Sequence, residues 1–144
     1  MFTTAKDDGL IPYVLTQILD ACVNGITLSD PDLPDNPIVY ANKVFEEMSG
    51  YSQDEIVGRN CRFLQGDDRD QKALATIRAA LANKEACVVT LRNYRKNGEL
   101  FRNRLSIRPL VDRAGTVIYY LGVQYDMDHP PGASNEDSDQ VSFA

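Results

Sequence analysis

The sequence predicts an α+β domain: a five-stranded antiparallel sheet with helices covering one face, plus an amphipathic helix ahead of it. Three observations carry this. Two short apolar strands open the folded part, and three longer alternating runs close it. The stretch between them is cut into short helical pieces by capping residues and glycines. Strands and helices are therefore grouped rather than alternating, the pattern of an antiparallel sheet with its helices to one side.

Each element follows in order. Residues 11–23 (IPYVLTQILDACV) place Val14, Leu15, Ile18, Leu19 and Cys22 at helical spacing on one stripe. Pro12 suits a first turn. Residues 25–29 (GITLS) and 38–41 (IVYA) are short strands, joined by the turn-rich DPDLPDNP. Asn42 caps a helix through Met48, and Ser52 with Glu55 forms a capping box for a turn that Gly58 breaks. Residues 60–64 are another short piece, closed by Gly66. The Ala- and Leu-rich residues 69–82 are the one long internal helix. Strands are expected over 86–95, 99–110 and 117–125, with Asn97-Gly98 as a hairpin turn and DRAG (112–115) as the next turn. The domain plan is a cap helix in 1–24, a core in 25–126 and an acidic tail in 127–144 that reads as disordered.

Composition narrows the function. The net charge is −6, but five acids and no Lys or Arg lie from Asp126 onward, leaving 16 acids against 15 bases in the rest. A near-neutral body is not a nucleic-acid surface. No run of 18 apolar residues exists, and the start of the chain lacks a signal-peptide core, so no membrane partner and a cytoplasmic location are expected. Cys22, Cys61 and Cys87 lack paired spacing, and the single histidine, His129, lies in the tail, so no metal site is expected. No acid–base pair stands out, and the chain does not read as an enzyme.

The last three strands carry the chemical signal. At a period of two, Leu91 and Asn93 share a face, as do Asn103, Leu105 and Ile107, and Tyr120, Gly122 and Gln124. The opposite faces carry Arg92, Arg102, Arg104 and Arg108, so the amide-bearing face is the covered one. Covered amides need partners that both accept and donate. A heteroaromatic ring would serve, with Gly122 leaving room for it; so would the amides themselves or buried water, and alternation leaves both open. In the long helix, Arg78 interrupts the apolar stripe of Leu74, Ile77 and Leu81. It either reaches the edge of the stripe or meets an anion, for which a phosphate fits its planar fork. Arg62 and Arg69 are companions for that role, although a solvated Arg69 is the plainer expectation. Arg62 beside Cys61 would lower the thiol pKa, yet no histidine or acid adjoins Cys61 as a hydrolytic nucleophile requires.

The segment GRNCRFLQG (58–66) resembles the motif of light-oxygen-voltage (LOV) domains, a branch of the PAS fold. So do SDPDLPDNP (29–37), GYSQDEI (50–56), LRNYRKNG (91–98) and LGVQ (121–124). The likeness extends over about residues 25–126 and includes plant phototropin domains and bacterial short LOV photoreceptors.

That resemblance implies a blue-light photoreceptor. Cys61 matches the cysteine that bonds reversibly to flavin carbon C4a from the excited triplet. Gln124 matches the glutamine whose amide reorients when flavin N5 is protonated. Arg62 and Arg78 match phosphate-binding arginines, Asn60 and Gln65 flank the flavin side chain and ring, and Asn93 and Asn103 read its pyrimidine edge. Thr27, Ser29, Leu64, Leu74, Ile77, Leu91, Leu105, Tyr120 and Gly122 match the pocket walls.

No insertion lengthens the stretch between Gln65 and Arg78. The resemblance therefore favours FMN, with riboflavin or FAD as alternatives. Leu105 stands where plant domains carry phenylalanine. The tail lacks the amphipathic helix that follows plant domains, so output is expected through the N-terminal helix, in a homodimer using Val14, Leu15, Ile18 and Leu19, to an unknown downstream protein. The alternatives are a flavin-based redox sensor and a cofactor-free adapter domain.

Overall fold

The computed structural model describes residues 10–129. Residues 1–9, and the part of the expected disordered tail that follows residue 129, lie outside the described residues. Ten elements follow in order: helix α1 (Leu10–Asp20), strands β1 (Gly25–Ser29) and β2 (Ile38–Ala41), helices α2 (Lys43–Ser49) and α3 (Gln53–Ile56), a 3₁₀ turn (Cys61–Gln65), helix α4 (Lys72–Asn83), and strands β3 (Cys87–Tyr94), β4 (Leu100–Val111) and β5 (Val117–Asp126). The five strands form one antiparallel sheet in the order β2-β1-β5-β4-β3. The expected fold class is the observed one.

Local signals explain most boundaries. The Asn42 side chain accepts from the Phe45 amide to start α2, and Gly50, at φ 81°, ends it. Ser52 and Glu55 close the capping box on α3. The β3–β4 hairpin departs from a simple Asn-Gly turn. Only Gly98 has positive φ, at 91°, and its amide donates to Arg95 while the Arg95 amide donates to Glu99. That is a three-residue loop ending in a left-handed glycine.

Two helix boundaries differ from expectation through long-range contacts. Helix α1 stops at Asp20 rather than residue 23. Asn42, fully buried, donates from Nδ2 to the carbonyls of Leu19 (2.8 Å) and Asn24 (3.0 Å) and accepts from the Ile26 amide at 2.8 Å, so the chain is turned into β1. Helix α4 starts at Lys72 rather than residue 69. Gln71 instead pairs with the free edge of β3, donating to Arg92 O at 3.0 Å and accepting from Arg92 N at 2.8 Å.

Both faces of the sheet are covered in part. On one face, Leu91, Leu105, Ile107 and Tyr120 pack under Leu74, Ile77 and Leu81 of α4. Beside them, Ile38, Ala41, Phe45, Ile56 and Leu64 form a second cluster under α2 and α3. On the other face, Leu28, Val39, Tyr40 and Tyr119 are covered by Leu15 and Leu19 of α1. The expected single stripe on α1 is therefore split, because Val14 (41%), Ile18 (56%) and Tyr13 (62%) remain exposed.

Candidate functional site

A cavity of about 410 Å³ lies between the sheet and the helical layer. That volume suits a drug-sized ligand. All the site residues expected from sequence line it: Thr27 and Ser29 from β1; Asn60, Cys61, Arg62, Leu64 and Gln65 from the 3₁₀ turn and its cap; Leu74, Ile77 and Arg78 from α4; and Leu91, Asn93, Asn103, Leu105, Tyr120, Gly122 and Gln124 from the last three strands. Asn36, Ile38, Arg69, Leu81, Ile107 and Leu121 complete the lining. Of these, Ile107 and Leu81 share faces already read as covered. Asn36 sits in a turn at φ 48°, and no local pattern directs its side chain inward.

The polar floor is built by strand alternation. Asn93, Asn103 and Gln124 are buried at 2%, 1% and 2% exposure. Asn103 Nδ2 donates to Asn93 Oδ1 at 2.9 Å, and Asn93 Nδ2 donates to Arg92 O at 3.1 Å. This uses one N–H of each amide and leaves Asn103 Oδ1 buried with no hydrogen-bond partner. A buried acceptor in that condition calls for a donor from an occupant. Gln124 Nε2 donates to Thr27 Oγ1 at 3.3 Å, across the β1–β5 ladder. Gly122 lies opposite Thr27, and a Cβ there would come within 2.6 Å of Thr27 Oγ1. The missing side chain thus makes way for the protein's own Thr27 hydroxyl, and not only for a ring as the alternation suggested.

The reactive wall is the 3₁₀ turn. Asn60 caps it through Oδ1, which accepts from the Arg62 amide at 3.0 Å, while its Nδ2 donates to Asp35 O at 2.8 Å. Gly66 ends the turn at φ 55° and ψ −129°, a conformation suited to glycine. Cys61 is an exposed residue that lines the cavity. Burial pushes its thiol pKa up, outweighing a backbone hydrogen bond and the Arg62 charge, which lower it. The lowering expected from Arg62 is therefore present but outweighed, and the net direction is upward.

The cavity rim is cationic. Arg62, Arg69 and Arg78 are exposed residues that also line the cavity. Among the described residues, no group of three or more His, Cys, Asp or Glu side chains could hold a metal ion.

The PAS domain family matches residues 23–129. A blue-light photoreceptor of Listeria innocua is 41% identical over 114 residues, which is 79% of this chain and 45% of that protein. A solved light-oxygen-voltage domain, studied with a flavin analogue, is 45% identical with a TM-score of 0.74, covering 83% of this chain and 88% of that one. The chain is a LOV domain. A further solved LOV protein, an RNA-binding receptor, is 39% identical with a TM-score of 0.76, covering 86% of this LOV domain but 35% of that chain. This LOV domain spans less than half the length of the curated relatives it matches. No helix among the described residues is long and apolar enough to cross a membrane.

Proposed function

We propose that this LOV domain senses blue light through a flavin, FMN in preference to riboflavin or FAD, held in the 410 Å³ cavity. The observation that carries the reading is the unpartnered Asn103 Oδ1 in a wall that also presents Asn93, Gln124 and Cys61. A flavin edge offers N–H and carbonyl groups in alternation, which suits this amide set. Arg62 and Arg78 at the rim would take its phosphate, for which a guanidinium fork is well shaped. Leu64, Leu74, Ile77, Leu91, Leu105 and Tyr120 would enclose the ring, with Thr27, Ser29, Asn60, Gln65 and Gly122 around it.

When bound, the flavin supplies the blue absorption and, once excited, an electrophilic carbon for a thiol. Cys61 is suited to that partner because its protonated thiol brings both sulfur and proton. Gln124 is suited to report the outcome. Its amide offers a donor or an acceptor by rotation of one bond, and an unanswered mismatch in a buried site costs about 1–3 kcal/mol. That is enough to shift a two-state element. The strand bearing Gln124 holds α1 on its opposite face through Tyr119, beside Leu28 of β1. Output therefore passes through α1 to a second copy of this chain, and from there to another protein. Tyr13, Val14 and Ile18 are exposed apolar residues of α1 available for that contact.

The test is the absorption spectrum of the purified chain before and after a blue flash. A flavin band that bleaches and returns in darkness is expected, with Cys61→Ala keeping the band and losing the bleach. A band that never bleaches in the wild type would replace this reading with a redox sensor. No band after adding FMN would leave an adapter domain.

A further inference from the structure

The cavity rim holds three arginines, and they are not equivalent. Arg62 forms an ion pair with Asp35 through Nη2. Arg69 donates from Nε to the Gly66 carbonyl at 3.0 Å, and Arg78 has no ion-pair partner among the described residues. Asp35 stands in the turn between β1 and β2 at φ 67°, a left-handed conformation that aspartate and asparagine tolerate better than most residues. The Asn60 bond to Asp35 O at 2.8 Å fastens that turn to the Cys61 turn, so the carboxylate is held beside Arg62.

We infer that Asp35 is a specificity residue of the flavin site: its carboxylate competes for the Arg62 guanidinium with the phosphate of an anionic flavin. The inference rests on the flavin reading above. A phosphate monoester carries roughly −1.5 to −2 charges at neutral pH. It must displace Asp35 from Arg62 or share the guanidinium with it, and the neighbouring carboxylate repels it in either case. A neutral flavin lacking the phosphate feels neither effect. Asp35 thus lowers the preference for a phosphorylated over an unphosphorylated flavin. Both side chains are partly exposed, Arg62 at 46% and Asp35 at 57%, so the effect is modest and screened by salt.

The experiment titrates the chain, freed of flavin, with FMN and with riboflavin separately, following flavin fluorescence. Asp35→Asn keeps a residue that accepts the left-handed backbone. It is expected to raise the ratio of FMN to riboflavin affinity by about threefold, the scale of one exposed ion pair. Riboflavin affinity stays unchanged, and the gain shrinks at high salt. On an Arg62→Gln background the same substitution raises the ratio by less, because only the direct repulsion is left to remove. An unchanged ratio in the single variant overturns the inference, and so does a lowered one, which would make Asp35 a support for Arg62 rather than a competitor. A wild-type chain that binds neither flavin removes the flavin reading and this inference together.

Discussion

Gly122 shows how much one side chain decides. It lies between Thr27 and Gln124, and its absent Cβ would approach Thr27 Oγ1 to 2.6 Å and Gln124 Nε2 to 3.2 Å. Those two atoms are themselves hydrogen-bonded at 3.3 Å. Any residue larger than glycine must push the Thr27 hydroxyl aside and break that bond. Gly122→Ala is expected to cost about 1–3 kcal/mol of stability, the range for overpacking a filled interior. Adding Thr27→Ala removes the colliding oxygen and should recover part of the loss. Urea midpoints for the two single variants and the double variant test this, and a double variant whose losses simply add would show that the clash is not the cause. Asn103 makes the complementary point, because its role is visible in the bond it lacks. Each amide of the Asn93–Asn103 pair gives one N–H to a partner inside the protein, and one acceptor is left over.

At the scale of elements, the entry to α4 is organised by charge rather than helix propensity. Asp68 accepts from Arg92 Nε and Nη2, each at 2.7 Å, and from Tyr94 Oη at 2.7 Å. The Arg92 hydrogen bonds, followed by that of Tyr94, hold the Asp68 carboxyl at about 2, below its ordinary value of 3.8. A carboxyl lowered on folding adds stability that is fully present above about pH 4 and is lost as the pH falls toward 2. Asp68→Asn should therefore destabilise the chain at pH 7 and flatten its stability curve in that window. Urea midpoints taken from pH 5 to pH 2.5 check this; parallel curves for the two proteins would disprove the clamp. The same contact explains what was legible in the sequence. Asn42, Ser52 with Glu55, and the alternation of β3, β4 and β5 act within a few residues or through strict periodicity, and these elements were readable. Leu91, Asn93, Asn103, Leu105, Tyr120, Gly122 and Gln124 all lie on the covered face that alternation picked out. The start of α4, the end of α1 and the inward placement of Asn36 depend on partners distant in sequence, such as Gln71 with Arg92, and no local pattern encodes them. The amide-bearing face and the arginines point toward a flat ring with a phosphate, whereas the roles proposed for Cys61 and Gln124 rest on the family motif and not on periodicity.

At the scale of the whole molecule, α1 is the element with two apolar faces, and only one is covered. Leu15 and Leu19 pack on Leu28, Val39, Tyr40 and Tyr119, and the Tyr40 hydroxyl donates to Asp20 at 2.9 Å. The other face carries Tyr13, Val14 and Ile18 at 62%, 41% and 56% exposure, with Val23 at 67% just beyond. A patch of this kind favours an interface, and a two-fold pair of α1 helices would bury the same patch on both copies. Leu15 and Leu19 belong to the domain's own packing, so a charge at Leu15 would damage the fold before it tested association. Ile18→Glu separates the two effects. It is expected to shift the particle mass in sedimentation from two chains to one, with the thermal midpoint of the monomer little changed. Leu15→Glu should lower the thermal midpoint whether or not the chains associate. If Ile18→Glu leaves a dimer of unchanged mass in darkness and under blue light, α1 is not the interface, and the route from Gln124 to a partner must leave by another surface of the sheet.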